Sequence, residues 1–314
     1  MTAEDHSPES RGDLISPTRC GFAAIVGAPN VGKSTLVNSL VGSKVSIVSP
    51  KAQTTRTRIR GIMISGDSQV IMVDTPGLFA PKRGLDKAML AAAWRSLDDA
   101  DEIMLVVDAA KGCDDAAEQV IERLRHGSRQ ACLVLNKVDA VRKTALLPLV
   151  QALSTSGAFS RVFMVSALTG DGIADVRAYL AAAVPAGPWL YPADQVTDTP
   201  EALQAAEMTR EQVFLQLHEE VPRSTAVVPE SWQERADGSL RIEQNIYVER
   251  DSQRPIVIGE DGQRIRRIGE ASRRELERLF ECRIHLFLQV RVRERWPDGR
   301  EAYAWHHLET PGKL

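Results

Sequence analysis

The chain has 314 residues, 43% hydrophobic and 26% charged, with a net charge of −3 at pH 7. That length allows two domains with cores of their own, and the near-neutral balance excludes a uniformly basic binder, so any basic face must be local. The four cysteines (Cys20, Cys113, Cys132 and Cys282) form no CxxC pair. This argues against a zinc or disulfide framework and fits reduced core thiols in a cytoplasmic setting.

In chain order, residues 1–18 are polar, with Pro8 and Pro17 and no apolar core, so a disordered tail rather than a signal peptide is expected. No run reaches the length of a membrane span, which leaves only peripheral contact at the inner face of the cell membrane open. Cys20 to Val26 is an apolar run fit for a buried parallel strand. It leads into Gly27-Ala28-Pro29-Asn30-Val31-Gly32-Lys33-Ser34, a G-x-x-x-x-G-K-S phosphate loop. Thr35 to Val41 continues as a helix with Leu36, Leu40 and Val41 on one face. Strand, glycine loop and helix start aim backbone N–H groups and a helix dipole at one spot, which suits an anion. Lys33 is expected to reach the terminal phosphates and the Ser34 hydroxyl to ligate Mg2+.

Residues 44–58 show neither helical nor strand period, and a threonine there is placed to complete the Mg2+ shell and sense a γ-phosphate. Strands are expected at Arg60 to Ile64 and Gln69 to Val73. The second runs into Asp74-Thr75-Pro76-Gly77, an acid at the metal-associated position followed by a glycine whose N–H can approach the γ-phosphate. Then follow a helix from Leu85 to Leu97, a strand from Glu102 to Asp108, and a helix from Asp114 to Arg125. A strand from Gln130 to Leu135 ends in Asn136-Lys137-Val138-Asp139, and one from Arg161 to Val165 ends in Ser166-Ala167-Leu168. A helix from Gly172 to Val184 closes the unit. The alternation predicts an α/β, doubly wound mixed sheet with its ligand over the strand C-termini.

The proline-rich stretch 185–192 ends that unit, and a helix from Glu201 to Glu220 opens another. Strands are expected at Ser224 to Trp232 and Ser239 to Arg250, around an Asp237-Gly238 turn. An apolar strip from Pro255 to Ile258 precedes the G-x-x-G loop Gly259-Glu260-Asp261-Gly262, then a helix through Phe280 and a strand from Ile284 to Val292. Glycines at both ends of such a loop let an RNA backbone approach main chain. From Gly262 to Arg295 there are ten arginines against five acids. Arg264, Arg266, Arg267, Arg273 and Arg274 are the candidates to reach phosphates, and Glu270, Glu275 and Glu277 pair some of them. His285, His306 and His307 read as strand or tail residues, so the second catalytic constellation that an RNA- or tRNA-modifying factor needs is missing.

The motifs GAPNVGKS, DTPG, NKVD and SAL, in that order, resemble GTPases of the translation-factor class. Helix–strand–strand–helix–strand around I-G-x-x-G-x-x-I-x-x-I-G resembles a type II KH domain. Together with Gln53-Thr54-Thr55-Arg56, the whole from Arg19 to Trp296 resembles the Era family of bacterial GTPases. The resemblance implies a tail at 1–18, a P-loop GTPase domain at 19–185, a linker at 186–200, a KH domain at 201–296 and an extension at 297–314. It implies a monomer that cycles between GTP and GDP with Mg2+, binds 16S ribosomal RNA near its 3′ end and assists assembly of the 30S subunit. An RNA-binding scaffold with an inert GTPase conflicts with the intact Lys33, Ser34, Asp74 and Asn136.

By the same resemblance the nucleotide meets Gly27 through Thr35, Asp74 through Gly77, Asn136, Lys137, Asp139 and Ser166 through Leu168. Asn136 and Asp139 would recognise guanine, since a carboxylate accepts from both N1–H and the 2-amino group. Lys137 would lay its stem along the base and the Ala167 N–H would meet O6. Ser34, Thr55 (favoured over Thr54) and Asp74 form the expected metal set, and Asn30, Lys33, Thr55 and Gly77 the expected catalytic set. Ile258, Gly259, Glu260, Asp261, Gly262 and the five arginines form the expected RNA set. Leu78 stands where Ras-like proteins carry a water-orienting glutamine, and its side chain offers no hydrogen bond to water. Asn30 is similar to an asparagine that ligates K+ in related bacterial GTPases. Hydrolysis is therefore expected to run faster in K+ than in Na+, with the difference lost in Asn30→Ala. Equal steady-state phosphate release by the intact protein in both salts would contradict it.

Overall fold

The structure, a computed structural model, describes residues 18–51, 54–81, 83–217, 221–306 and 308. The expected tail (all but Thr18), Gln53, His307 and the end of the extension lie outside the described residues. The first domain runs β1 (Arg19–Val26), α1 (Lys33–Val41), β2 (Ile59–Ser65), β3 (Ser68–Asp74), α2 (Gly84–Asp99) and β4 (Glu102–Asp108). It continues through α3 (Asp115–His126), β5 (Ala131–Asn136), α4 (Lys143–Ser154), β6 (Phe159–Val165) and α5 (Ile173–Ala183).

The six strands pair in the order β2-β3-β1-β4-β5-β6. All neighbours are parallel except β2 and β3. Strands β3, β4 and β5 are almost wholly buried, which is why they are near-continuous apolar runs. Leu36, Val37 and Leu40 of α1 and Val176 and Leu180 of α5 cover one face. Ala93 and Leu97 of α2 with Val120, Ile121 and Leu124 of α3 cover the other. The order puts β1 between β3 and β4, a reversal point where the loops after β1 and β3 must lie side by side.

Helix α4 is an element that the sequence pattern does not announce. Pro148 sits inside it, only Leu146 and Leu153 are buried, and Leu147 is 71% exposed. The cysteine expectation also needs correction: Cys132 is buried, Cys20 and Cys282 are half-buried, and Cys113 is exposed. Residues 186–200 do not hang loose. Gly61 and Thr197 form an antiparallel bridge, and Gln69 Oε1 accepts from the Leu190 and Tyr191 N–H groups at 2.9 and 3.0 Å.

The second domain comprises α6 (Glu201–Gln216), β7 (Thr225–Glu234), β8 (Leu240–Val248), α7 (Arg254–Ile258), α8 (Gln263–Phe280), β9 (Ile284–Val292) and α9 (Arg300–Trp305). Its sheet has the order β7-β8-β9, antiparallel then parallel. The strip 255–258 is a short helix, α7, which adds an element to the expected order, and α6 stops at Gln216. Ile268 of α8 and Val213 of α6 pack on Ile246 and Val248 of β8. The extension folds back: Ala302 and Tyr303, with Trp296 at the end of the KH domain, share a core cluster with Leu85, Ala88 and Met89 of α2.

One side chain fixes the start of the long polar loop. Asn38 on α1 accepts from the Val45 and Ser46 N–H groups at 2.9 Å each and donates to the Ser46 carbonyl at 2.7 Å. Asn38→Ala orphans these part-buried groups and is expected to lower stability by about 2–3 kcal/mol, read as a lower urea midpoint. An unchanged midpoint would contradict that anchoring role.

Candidate functional site

The loops after β1 and β3 meet over the sheet, beside a cleft of about 400 Å3 lined by Lys33, Ser34, Thr55, Gly77 and Lys137 among others. Gly32 has φ 96, and a Cβ there would run into Asn136 Nδ2, so the loop needs glycine at this place. Gly77 lies against the backbone of Pro29. Lys33 is buried and donates from Nζ to the Gly27 and Ala28 carbonyls at 3.0 and 2.8 Å. Burial pushes its ammonium down to about 8, against the pull of Asp74 and Asp114.

Asp74 is fully buried at the end of β3. Its Oδ2 accepts from Ser34 Oγ at 2.7 Å, Ser46 Oγ at 2.6 Å and Thr55 Oγ1 at 3.3 Å. Burial pushes the carboxyl up, and the three hydroxyls and Lys33 pull it back. Thr55 Oγ1 and Ser34 Oγ are 3.0 Å apart, whereas Thr54 Oγ1 turns away to the Lys51 carbonyl at 2.8 Å. Thr55 is thus the threonine beside Ser34. Asp74 Oδ1 is buried with no hydrogen-bond partner among the described residues. An all-oxygen set with a spare carboxylate oxygen suits a hard cation such as Mg2+. Ser46 and Asn38 escape sequence reading because a serine in a polar loop, or an asparagine on a short helix, carries no signal of its own.

At the far side, Asn136 is buried and bonded through both its oxygen and its nitrogen. Its Oδ1 accepts from Ala167 N–H at 3.0 Å and its Nδ2 donates to the Val31 carbonyl at 2.8 Å. The Ala167 N–H, expected to meet a guanine O6, is therefore engaged within the protein, as a buried donor must be. Asp139 is exposed in the turn after β5, and the Leu168 side chain is 82% exposed. Lys137 reaches across the phosphate loop to the Asn30 carbonyl at 2.6 Å and to Asp108 Oδ2 at 2.7 Å. Burial alone would raise Asp108, but Lys137, the Ala110 N–H and Lys111 bring it below the usual range. Asn30 has φ 64 and donates from Nδ2 to the Pro50 carbonyl at 2.9 Å, tying the phosphate loop to the polar loop. The Leu78 side chain, 1% exposed, points into the core beside Leu97 and Ala93.

The polar loop is also bonded to the second domain. Val48 N–H donates to Glu211 Oε1 at 2.8 Å, and Lys44 pairs with Glu211 and Glu275. Lys51 Nζ reaches the Phe214 and Leu217 carbonyls at the end of α6, where cations favour the helix dipole. Arg56, for which the Gln53-Thr54-Thr55-Arg56 run implies no role of its own, is buried in the second domain, and burial with Arg210 nearby pushes its guanidinium down to about 9.

On the second domain's other side, Gly259 and Gly262 have φ 76 and 73, and a Cβ on Gly259 would stand 2.6 Å from Arg264 Cβ. Glu260 and Asp261 are exposed and carry the sign of a phosphate, so attraction has to come from helix α8. Ile258 is half-buried behind the loop. Arg266, Arg267, Arg273 and Arg274 are exposed on α8, with Arg273 paired to Glu277 at 3.2 Å. Arg264 instead donates to the Ile256 carbonyl at 2.6 Å and braces the loop.

Residues 22–137 match the 50S ribosome-binding GTPase family and residues 220–297 the KH domain. GTPase Era of Bradyrhizobium sp. strain BTAi1 is 52% identical over 311 residues, covering 99% of each chain. That of Rhizobium meliloti is 52% identical over 295 residues, 94% of each. A crystal structure of Era with MgGDPNP and nucleotides 1506–1542 of 16S ribosomal RNA is similar at TM-score 0.88 and 35% identity, over 92% of this chain and 98% of that one. An Aquifex aeolicus Era variant bound to GDP and AlF4− is similar at TM-score 0.88 and 36% identity, over 92% and 99%.

Asn136 Nδ2 gives one of its two N–H groups to the Val31 carbonyl, and Asp139 is exposed with a carboxylate free of any role in the fold's core. Asp139→Asn keeps one acceptor and introduces a donor, so guanosine nucleotides are expected to bind about 10- to 100-fold more weakly and xanthosine nucleotides, with a carbonyl at C2, more tightly. Competition binding checks it, and unchanged guanosine affinity would contradict the assignment.

Proposed function

Because the chain belongs to the Era family of GTPases, we propose that it uses GTP binding and hydrolysis to control its grip on the 3′ region of 16S ribosomal RNA. It acts in the cytoplasm as a monomer during assembly of the 30S subunit. The observation that carries the reading is that both loops facing the phosphate site are docked on the second domain. The polar loop does so through Lys51 and Arg56, and the segment after Gly77 through α2, which packs on Trp296 and Tyr303.

In this reading Gly27 to Thr35 wrap the phosphates, Lys33 neutralises the terminal ones, and Gly77 offers its N–H to the γ-phosphate. Ser34, Thr55 and Asp74 hold Mg2+, directly or through water. The metal, when bound, neutralises charge on the β- and γ-phosphates. The Leu78 side chain is turned into the core, so the attacking water is oriented by other groups. Asn30, fixed between the phosphate loop and Pro50, is the residue that would hold K+ beside the phosphates. Asp139 and the Ser166–Leu168 turn face the base. The exposed arginines of α8 take the RNA backbone and the G-x-x-G loop lets it approach main chain.

Hydrolysis removes the γ-phosphate contacts of Thr55 and Gly77 and loosens both docked loops. An RNA oligonucleotide carrying the 16S 3′ end is therefore expected to bind several-fold more tightly with a non-hydrolysable GTP analogue than with GDP, a coupling of about 1–3 kcal/mol. Equal affinities in the two states would remove the switch from this account.

A further inference from the structure

Thr54, Thr55 and Arg56 are three successive residues tied to three different places. The Thr54 carbonyl accepts from Arg210 of α6, and the Thr55 hydroxyl sits on Ser34 and Asp74. The Arg56 side chain leaves the first domain altogether and is 3% exposed. Its guanidinium donates to the Thr225, Arg223 and Pro222 carbonyls at 2.7, 2.8 and 3.4 Å. It also stands 5.8 Å from the centre of the Phe214 ring and 5.6 Å from that of Trp296.

This is a cage built for one side chain. Three carbonyls match the fork of a guanidinium, and two aromatic faces accept its charge, which a lysine's point charge does not reproduce. The walls come from separate elements: Phe214 from α6, residues 222–225 from the turn into β7, and Trp296 from the turn after β9. Trp296 is itself fixed, donating from Nε1 to the Ser224 carbonyl at 3.0 Å. Helix α6 then leads to the RNA face. Its Gln216 side chain donates to the Arg267 carbonyl on α8 at 3.4 Å, and Val213 and Leu217 pack with Ile265 and Ile268. Adjacent Cα atoms are about 3.8 Å apart, so Thr55 cannot leave Asp74 by more than a small step without drawing Arg56 with it.

We propose that Arg56 is the positioning residue that carries the nucleotide state into the KH domain. Seated in its cage, it holds Thr55 on the Ser34–Asp74 cluster, and when Thr55 lets go it leaves the cage and frees α6 and the turn before β7. This rests on the switch reading above but assigns the transmission to one side chain.

The test measures affinity for the same RNA oligonucleotide, with a GTP analogue and with GDP, for the wild type, Arg56→Met and Arg56→Lys. Analogue affinity and circular dichroism are recorded alongside. The wild-type ratio of RNA affinities is expected to be on the order of tenfold. Arg56→Met brings it to about one while RNA affinity in GDP stays within about twofold of wild type. Arg56→Lys keeps the charge needed for folding but not the fork, and it also loses most of the ratio, so it carries the test if the methionine variant does not fold. A wild-type ratio retained in both variants overturns the proposal and leaves the switch reading standing. An equal loss of RNA affinity in both nucleotide states marks a merely structural role and overturns it too. A ratio of one in the wild type overturns the switch reading itself and the proposal with it.

Discussion

The buried carboxylate of Asp74 is the constraint on which the geometry of the nucleotide half depends. A carboxylate at the end of a fully covered strand is costly unless hydrogen bonds reach it. Here they come from three separate segments: Ser34 at the start of α1, Ser46 at the start of the polar loop, and Thr55 near its end. Each hydroxyl that satisfies the charge also fixes the segment carrying it. The polar loop has little apolar surface to bury, and it acquires a defined path because both its ends are pinned to one oxygen.

The outer side of the same loop is held by cations, of which Arg56 and Arg210 are buried and Lys51 half-buried. Lys51 and Arg56 enter the second domain, and Arg210 comes back from it to the Thr54 carbonyl. The charges of Lys51 and Arg56 are met by carbonyls, by the C-terminal end of α6 and by aromatic rings, whereas Arg210 is paired with Glu207. The loop is therefore a shared element. The Thr55 hydroxyl on Asp74 and an interdomain cation are neighbours in the chain, and in the proposed switch a change on one side is felt on the other. Helix α2 adds a second bridge, because its Leu85, Ala88 and Met89 face the KH sheet and the folded-back extension.

Much of this could be read from residues. Strands covered on both faces are apolar runs, so β3, β4 and β5 announce themselves, and the strand order places the motifs at their C-terminal ends. Leu78 was legible as a residue unable to orient water, though not as part of the core. What could not be read depends on partners far away in sequence. Arg56 meets Thr225, 169 positions on, and nothing local distinguishes it from a solvated arginine. The sequence marks Asn136 as a base-reading residue, but not that its amide also braces two loops. Helix α4 hides behind Pro148, and α7 is too short for a period to show.

The central claim is that one loop answers to the nucleotide and to the KH domain together. Hydrogen–deuterium exchange, comparing the protein with a GTP analogue and with GDP, tests it most directly. The account predicts that amides of residues 54–58 and of residues 221–225 gain protection together in the analogue state. Protection confined to 54–58, with 221–225 exchanging alike in both states, would contradict it.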